Sequence, residues 1–114
     1  MQATLRPFFR TVVHTLTSPY RRAEGRIVQA DLVIEAAEAP GGLGSLYRPQ
    51  VKYRYVVNRE GYVGTRLYDN ALSNQVATFE RAGVEALLAA YRPGTPVTVY
   101  YNRHNPADAY LRSG

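Results

Sequence analysis

Between residues 4 and 17 the apolar positions Leu5, Phe8, Phe9, Val12, Val13 and Leu16 recur at intervals of three and four, with Arg6, Arg10, Thr11, His14 and Thr15 on the opposite side. That period predicts an amphipathic helix. Pro7 fits its first turn, where the N–H that proline lacks would have no helical partner, and Ser18-Pro19 marks the stop. The β-branched Thr and Val lower its intrinsic propensity, so the helix is expected to need an apolar surface to form fully.

From Gly25 the period becomes two. Arg26 to Glu35 set Val28, Ala30, Leu32 and Ile34 on one side against Gln29 and Asp31, which predicts a first strand ending in a loop from Ala36 to Ser45. Val51 to Val57 alternate again, and Asn58-Arg59-Glu60-Gly61 closes a hairpin into Tyr62 to Tyr68. If the apolar positions of this hairpin face one way, Tyr53 and Tyr55 share a face with Val63 and Leu67. That register leaves Lys52, Arg54, Tyr62, Arg66 and Tyr68 outside, and a slip of one residue mixes the two sets. After an irregular stretch from Asp69, Thr78 to Tyr91 carries Val84, Leu87, Leu88 and Tyr91 at helical spacing and is stopped by Arg92-Pro93-Gly94. Pro96 then opens a strand from Val97 to Tyr101, and Asn105-Pro106 turns the chain into a last short strand around Ala109 to Leu111.

The expected fold is therefore mostly β (α+β). It is a small five-stranded, partly open antiparallel barrel with one helix between strands 3 and 4, preceded by the N-terminal amphipathic helix. An open antiparallel sheet with one helix across it fits the same order. Residues 1–22 are read as an attachment helix and linker, and residues 23–114 as the β-rich domain.

Composition narrows the chemistry. A chain of 114 residues, 46% of them apolar, suffices for one core and not for two. With no cysteine and two histidines, disulfides, thiolate zinc sites and cysteine nucleophiles are excluded, and neither a metal nor a cofactor is expected. No run of about 18 apolar residues encodes a membrane-spanning helix. Arg6, Arg10 and His14 interrupt the apolar stretch that a secretory signal would need. The formal charge of +5 suits nucleic acid, an anionic membrane or an acidic protein equally. Asp69, Glu80, His104 and Asp108 are the polar residues near loops that acid–base chemistry could draw on, but no spacing links them, and no catalytic residue is assigned. Gly41, Gly42 and Gly44 lack the following Lys and Ser/Thr of a phosphate loop.

Taken in order, Gly25-Arg26-Ile27-Val28, the run Tyr47-Arg48-Pro49-Gln50-Val51-Lys52-Tyr53-Arg54-Tyr55-Val56-Val57, and Tyr62-Val63-Gly64-Thr65-Arg66-Leu67 form a recognisable series. It continues with Tyr91-Arg92-Pro93-Gly94-Thr95-Pro96-Val97-Thr98-Val99-Tyr100-Tyr101-Asn102, then Asn105-Pro106 and Ala109 to Leu111. Across roughly residues 25 to 112 this series resembles the bacterial domain-of-unknown-function family thirty-five ninety-two. The resemblance implies a small β-rich domain beside one or more transmembrane helices, with no enzymatic activity established for the class. This chain departs from that pattern, because residues 4 to 17 are too short and too interrupted to cross a bilayer.

The expected function is that of a non-enzymatic accessory or interaction domain. Its N-terminal helix would hold it peripherally at an anionic membrane surface or on an integral membrane protein complex. Leu5, Phe8, Phe9, Val12, Val13 and Leu16 would supply apolar contact, and Arg10, Arg21 and Arg22 would meet acidic groups. The alternative is single-stranded nucleic-acid binding by an oligonucleotide-type barrel through Lys52, Arg54, Tyr62, Arg66 and Tyr68. An uncovered edge strand offers a route to an oligomer.

Overall fold

The computed structural model describes residues 18–36, 44–78 and 80–112. The expected helix over 4–17, with Leu5, Phe8, Phe9, Arg10, Val12, Val13 and Leu16, lies outside the described residues. Five strands, β1 (Tyr20–Ala36), β2 (Ser45–Val57), β3 (Glu60–Gly64), β4 (Pro96–Asn102) and β5 (Asn105–Tyr110), form one antiparallel sheet in the order β3-β2-β1-β4-β5. Two helices, α1 (Ala71–Gln75) and α2 (Arg81–Ala89), lie between β3 and β4.

The strand β1 is long because it serves two partners in succession. Its first part, Tyr20 to Arg26, pairs with β4, and Gly25 to Ala36 pair with β2. The two ladders overlap at Gly25 and Arg26. A Cβ at Gly25 would collide with Val99 and with the Arg54 carbonyl, so glycine lets three strands meet there. Just beyond, Ile27 faces Tyr53 and Gln29 faces Lys52, which leaves Val28 as the extra residue of a β-bulge. The bulge shifts the phase by one, so Ile27 before it and Ala30 after it both point inward, while Val28 is 46% exposed. The sequence pattern had placed Val28 on the inner face. Two adjacent apolar residues, Ile27 and Val28, mark the phase change.

In β2 the alternation becomes burial almost without loss: Val51, Tyr53, Tyr55 and Val57 are buried and Lys52, Arg54 and Val56 are exposed. With Val99, Ala109, Ile27, Leu67 and Leu111 they form the core, and Leu87 and Leu88 of α2 pack against it beside the buried Val84. Each buried Val or Leu contributes roughly 1.5–3 kcal/mol relative to exposure.

The hairpin takes the slipped register. Tyr55 faces Tyr62 and Arg54 faces Val63, so Tyr62 turns toward the core side and Val63 is 61% exposed, which settles the register the alternation left open, while Leu67 is buried in either case. The cause is a two-residue turn in which Asn58 and Arg59 both adopt positive φ, 51° and 71°, as the right-handed twist of a tight hairpin requires. That turn pairs Val57 with Glu60 and fixes every later pair. Gly64 then faces Tyr53, and a Cβ there would collide with the Tyr53 ring.

The expected partly open barrel is replaced by an open sheet. The strands β3 and β5 form its edges, with five and six residues, and no ladder joins them. What joins the edges lies past their ends. Leu111 and Arg112 N–H donate to the Leu67 carbonyl, and Asp69 N–H to that of Arg112, at 2.9–3.1 Å. The Tyr53 hydroxyl sits within hydrogen-bond distance of both the Arg66 carbonyl (2.8 Å) and the Ala109 carbonyl (3.1 Å). A buried tyrosine thus bridges a gap that strand pairing leaves open.

Other boundaries also move. The stretch after Asp69 contains α1, capped by Asn70 Oδ1 accepting from Ser73 N–H at 2.7 Å. The expected 78–91 helix is shorter, because Thr78 is held in a bridge to Tyr47. The final strand begins at Asn105 rather than Ala109, and β2 begins at Ser45 rather than Val51. Arg21 and Arg22, read from sequence as linker, are strand residues facing Tyr101 and Tyr100. Among the described residues no helix is long and apolar enough to cross a membrane.

Candidate functional site

The start of β1 and two hairpin tips share one end of the sheet. Tyr20 faces Asn102, and Arg103 N–H donates to the Pro19 carbonyl at 2.8 Å, so residue 19 is fastened against the β4–β5 turn. The chain preceding β1 therefore reaches the sheet at this end. The antiparallel β2 pairs Tyr55 with Gly25 and turns at Asn58–Arg59, which brings that tip to the same end. Arg22, Arg59 and Arg103 are exposed there, together with His104. The Arg21 guanidinium donates to the carbonyls of Ser18 (2.6 Å) and Tyr20 (3.0 Å), and that of Arg22 lies 5.9 Å from the Tyr100 ring centre. Glu24 and Glu60 are the acids nearest in register, and Glu60 accepts from the Tyr62 hydroxyl at 3.1 Å.

Next to this end, the outer face of β1, β4 and β5 carries a polar node at Asp108. Its carboxylate accepts from Arg66 Nη1 (2.6 Å), the Tyr20 hydroxyl (2.9 Å) and Asn102 Nδ2 (3.3 Å). Arg66 also donates to the Tyr68 and Asp69 carbonyls, both at 3.0 Å, and lies over the Tyr110 ring at 5.6 Å. Burial raises the proton affinity of Asp108, but the hydrogen bonds from Tyr20, Asn102 and Arg66 and the Arg66 charge outweigh it, so its pKa falls below the ordinary value. A carboxylate held this way is a staple between the start of β1, the segment after β3 and the β4–β5 hairpin. It is poorly suited to exchanging protons near neutral pH.

Two concave regions flank the sheet. One, of about 600 Å³, lies between the β2 edge at Tyr47–Gln50, residues 65–68 and the two helices. Asn74 spans one wall of it, accepting from Leu67 and Tyr68 N–H and donating to the Tyr68 and Asn70 carbonyls. The other, a groove of about 860 Å³, opens where the β2–β3 hairpin diverges from β1 and β4, and is rimmed by Glu24, Arg26, Arg54, Val56 and Val63.

A family model for a domain of unknown function, DUF3592, matches residues 23–114, which takes in the whole sheet except the first residues of β1. The chain belongs to this family. No curated protein and no solved structure matches it significantly.

In this DUF3592 domain the residues singled out from the sequence divide into two groups. Arg21 and Arg22 lie at the same end of the sheet as Arg59 and Arg103, two arginines the sequence did not single out; the signal was an arginine in each tight turn. Lys52, Arg54, Tyr62, Arg66 and Tyr68 do not share one face. Lys52 and Arg54 are exposed outward on β2, Tyr62 stacks on Tyr55 at 5.5 Å, Arg66 is bound to Asp108, and Tyr68 lies under Arg112. Glu80 stands at the N-cap of α2, and the His104 N–H donates to Asn102 Oδ1 in the β4–β5 turn. Among the described residues no three His, Asp or Glu side chains are grouped to hold a metal.

Proposed function

We propose that this DUF3592 domain is a non-catalytic accessory domain that rests on an anionic membrane surface, with the end at which β1 begins facing the lipid. The observation that carries this reading is that Arg22, Arg59 and Arg103 are exposed at one end of the sheet, the end at which the preceding chain joins β1 at Pro19. Arginine suits the task because its guanidinium forks onto phosphate oxygens and stays charged at any physiological pH. An arginine near such a surface contributes about 1 kcal/mol. The amphipathic segment with Phe8 and Phe9 would add apolar insertion beside this charged collar.

The test is co-sedimentation of the full chain with vesicles of neutral phosphatidylcholine and of phosphatidylcholine mixed with phosphatidylglycerol. Binding is expected to the anionic vesicles, falling about fivefold for each of Arg59→Gln and Arg103→Gln. Phe8→Asp with Phe9→Asp should weaken it further. Equal partitioning to both vesicle types, or indifference to both arginines, would sink the reading.

A further inference from the structure

We infer that the second half of β1 pairs with the same segment of a second copy of this chain, joining two sheets across a twofold axis at Leu32. The inference is independent of the membrane reading, because it concerns the part of β1 that runs away from the basic end.

The β4 ladder on β1 ends at Arg26, and the last main-chain bonds on that side are Ile27 N–H to the Thr95 carbonyl and Gly94 N–H to the Ile27 carbonyl. From Val28 to Ala36 the strand is bonded to β2 on one side, and among the described residues no main-chain hydrogen bond reaches its other side. The remaining edges are blunted in familiar ways. β3 has five residues, β5 carries Pro106, and the β2 edge before Tyr53 borders the cavity closed by the Tyr47–Thr78 bridge. The β1 edge has neither a proline nor a lysine, and Val28 and Ile34 are 46% and 56% exposed on it.

The sequence of this edge selects both the partner and the register. A twofold axis normal to the sheet pairs residues of equal parity, so its centre falls on one residue. Centred on Asp31, two Asp31 carboxylates face each other; centred on Val33, Asp31 faces Glu35. Centred on Leu32, Leu32 faces itself, Ala30 faces Ile34, Gln29 faces Glu35 and Asp31 faces Val33. All three registers set the even-numbered apolar residues against one another, and of the three only the last places no carboxylate directly opposite another, with Asp31 facing Val33. Glu35 already holds Arg48 at 3.1 Å, and the facing Gln29 amide, one N–H of which is given to Asp31 Oδ2, has a second N–H to offer without a like charge. The segment is thus complementary to itself.

The chain contains no cysteine, so single-cysteine variants report directly. Light scattering of the full chain over a concentration series should give about twice the 12.8 kDa monomer mass. Ile34→Lys, at an exposed position on the open edge, should raise the dimer dissociation constant about tenfold or more. Leu32→Cys should form a disulfide-linked dimer on mild oxidation, whereas Leu72→Cys, on exposed α1, should not. A monomeric mass at every concentration would overturn the inference, leaving a foreign strand as the occupant. A dimer untouched by Ile34→Lys, together with failure of Leu32→Cys to cross-link, would place the contact elsewhere.

Discussion

The two halves of the central strand pair differ in everything except their pattern. Around Ile27, Tyr53 and Tyr55 the inward side chains are 0–2% exposed. Five to seven residues farther along β1, roughly 15–25 Å by the rise of a strand, Leu32 and Ile34 continue the alternation, yet Leu32 is half-buried and Ile34 is 56% exposed. Alternation identifies a face; a second layer turns that face into a core. In the first region the layer comes from the curled edges of the sheet and from Leu87 and Leu88 of α2. In the second, two strands stand with less above them.

The largest test of this contrast sets Tyr53→Ala against Ile34→Ala. The first should destabilise the domain by about 3–5 kcal/mol, as for other large aromatic truncations in a core, and the second by less than about 0.5 kcal/mol, both read by urea unfolding at a concentration dilute enough to keep the chain monomeric. A comparable loss at Ile34 would mean that the arm is packed in the monomer. Next in size is Tyr53→Phe, which keeps the ring and removes the bridge between the Arg66 and Ala109 carbonyls. A cost of about 1–3 kcal/mol is expected, and no cost would show that the bridge closes nothing.

Asp108→Asn should follow, by about 1–2 kcal/mol, since Asp108 and Arg66 are both partly exposed and solvent screens their pair. Its pH signature separates it from the aromatic variants. The folded pKa of Asp108 lies below its unfolded value, so the stabilisation is complete above about pH 4 and is lost as pH falls through the folded value. The Asn variant should therefore show a flatter stability profile in acid. Smallest of all is Glu85→Gln. It removes the i,i+4 pair with Arg81 on the exposed side of α2, and the unfolding midpoint should not move measurably.

The five strands in their order along the chain and the position of α2 were legible in the sequence, because long alternating runs and a helix with Val84, Leu87 and Leu88 leave little choice. The family was legible for the same reason, since its signals sit in those runs. What escaped depended on single residues whose effect is geometric. The phase shift at Val28 needs only one extra residue, and the hairpin register follows from positive φ at Asn58 and Arg59, where alternation alone favours burying Val63. The Asp108 node draws on Tyr20, Arg66 and Asn102, which come from distant parts of the chain and carry no shared spacing. The shared placement of Arg22, Arg59 and Arg103 appears only once antiparallel pairing brings both turns to the end of the sheet at which β1 begins.

On the proposed membrane reading, the left-handed backbone at Arg59 sets stability against attachment. A glycine there would suit a positive φ without the Cβ penalty, of roughly 1 kcal/mol, and the hairpin would form more readily. Instead this position carries a guanidinium at the tip of the basic end. Arg59→Gly should therefore yield a chain that unfolds at higher denaturant while gripping anionic vesicles less well. On that reading, a position easily improved for folding is one that binding keeps as arginine.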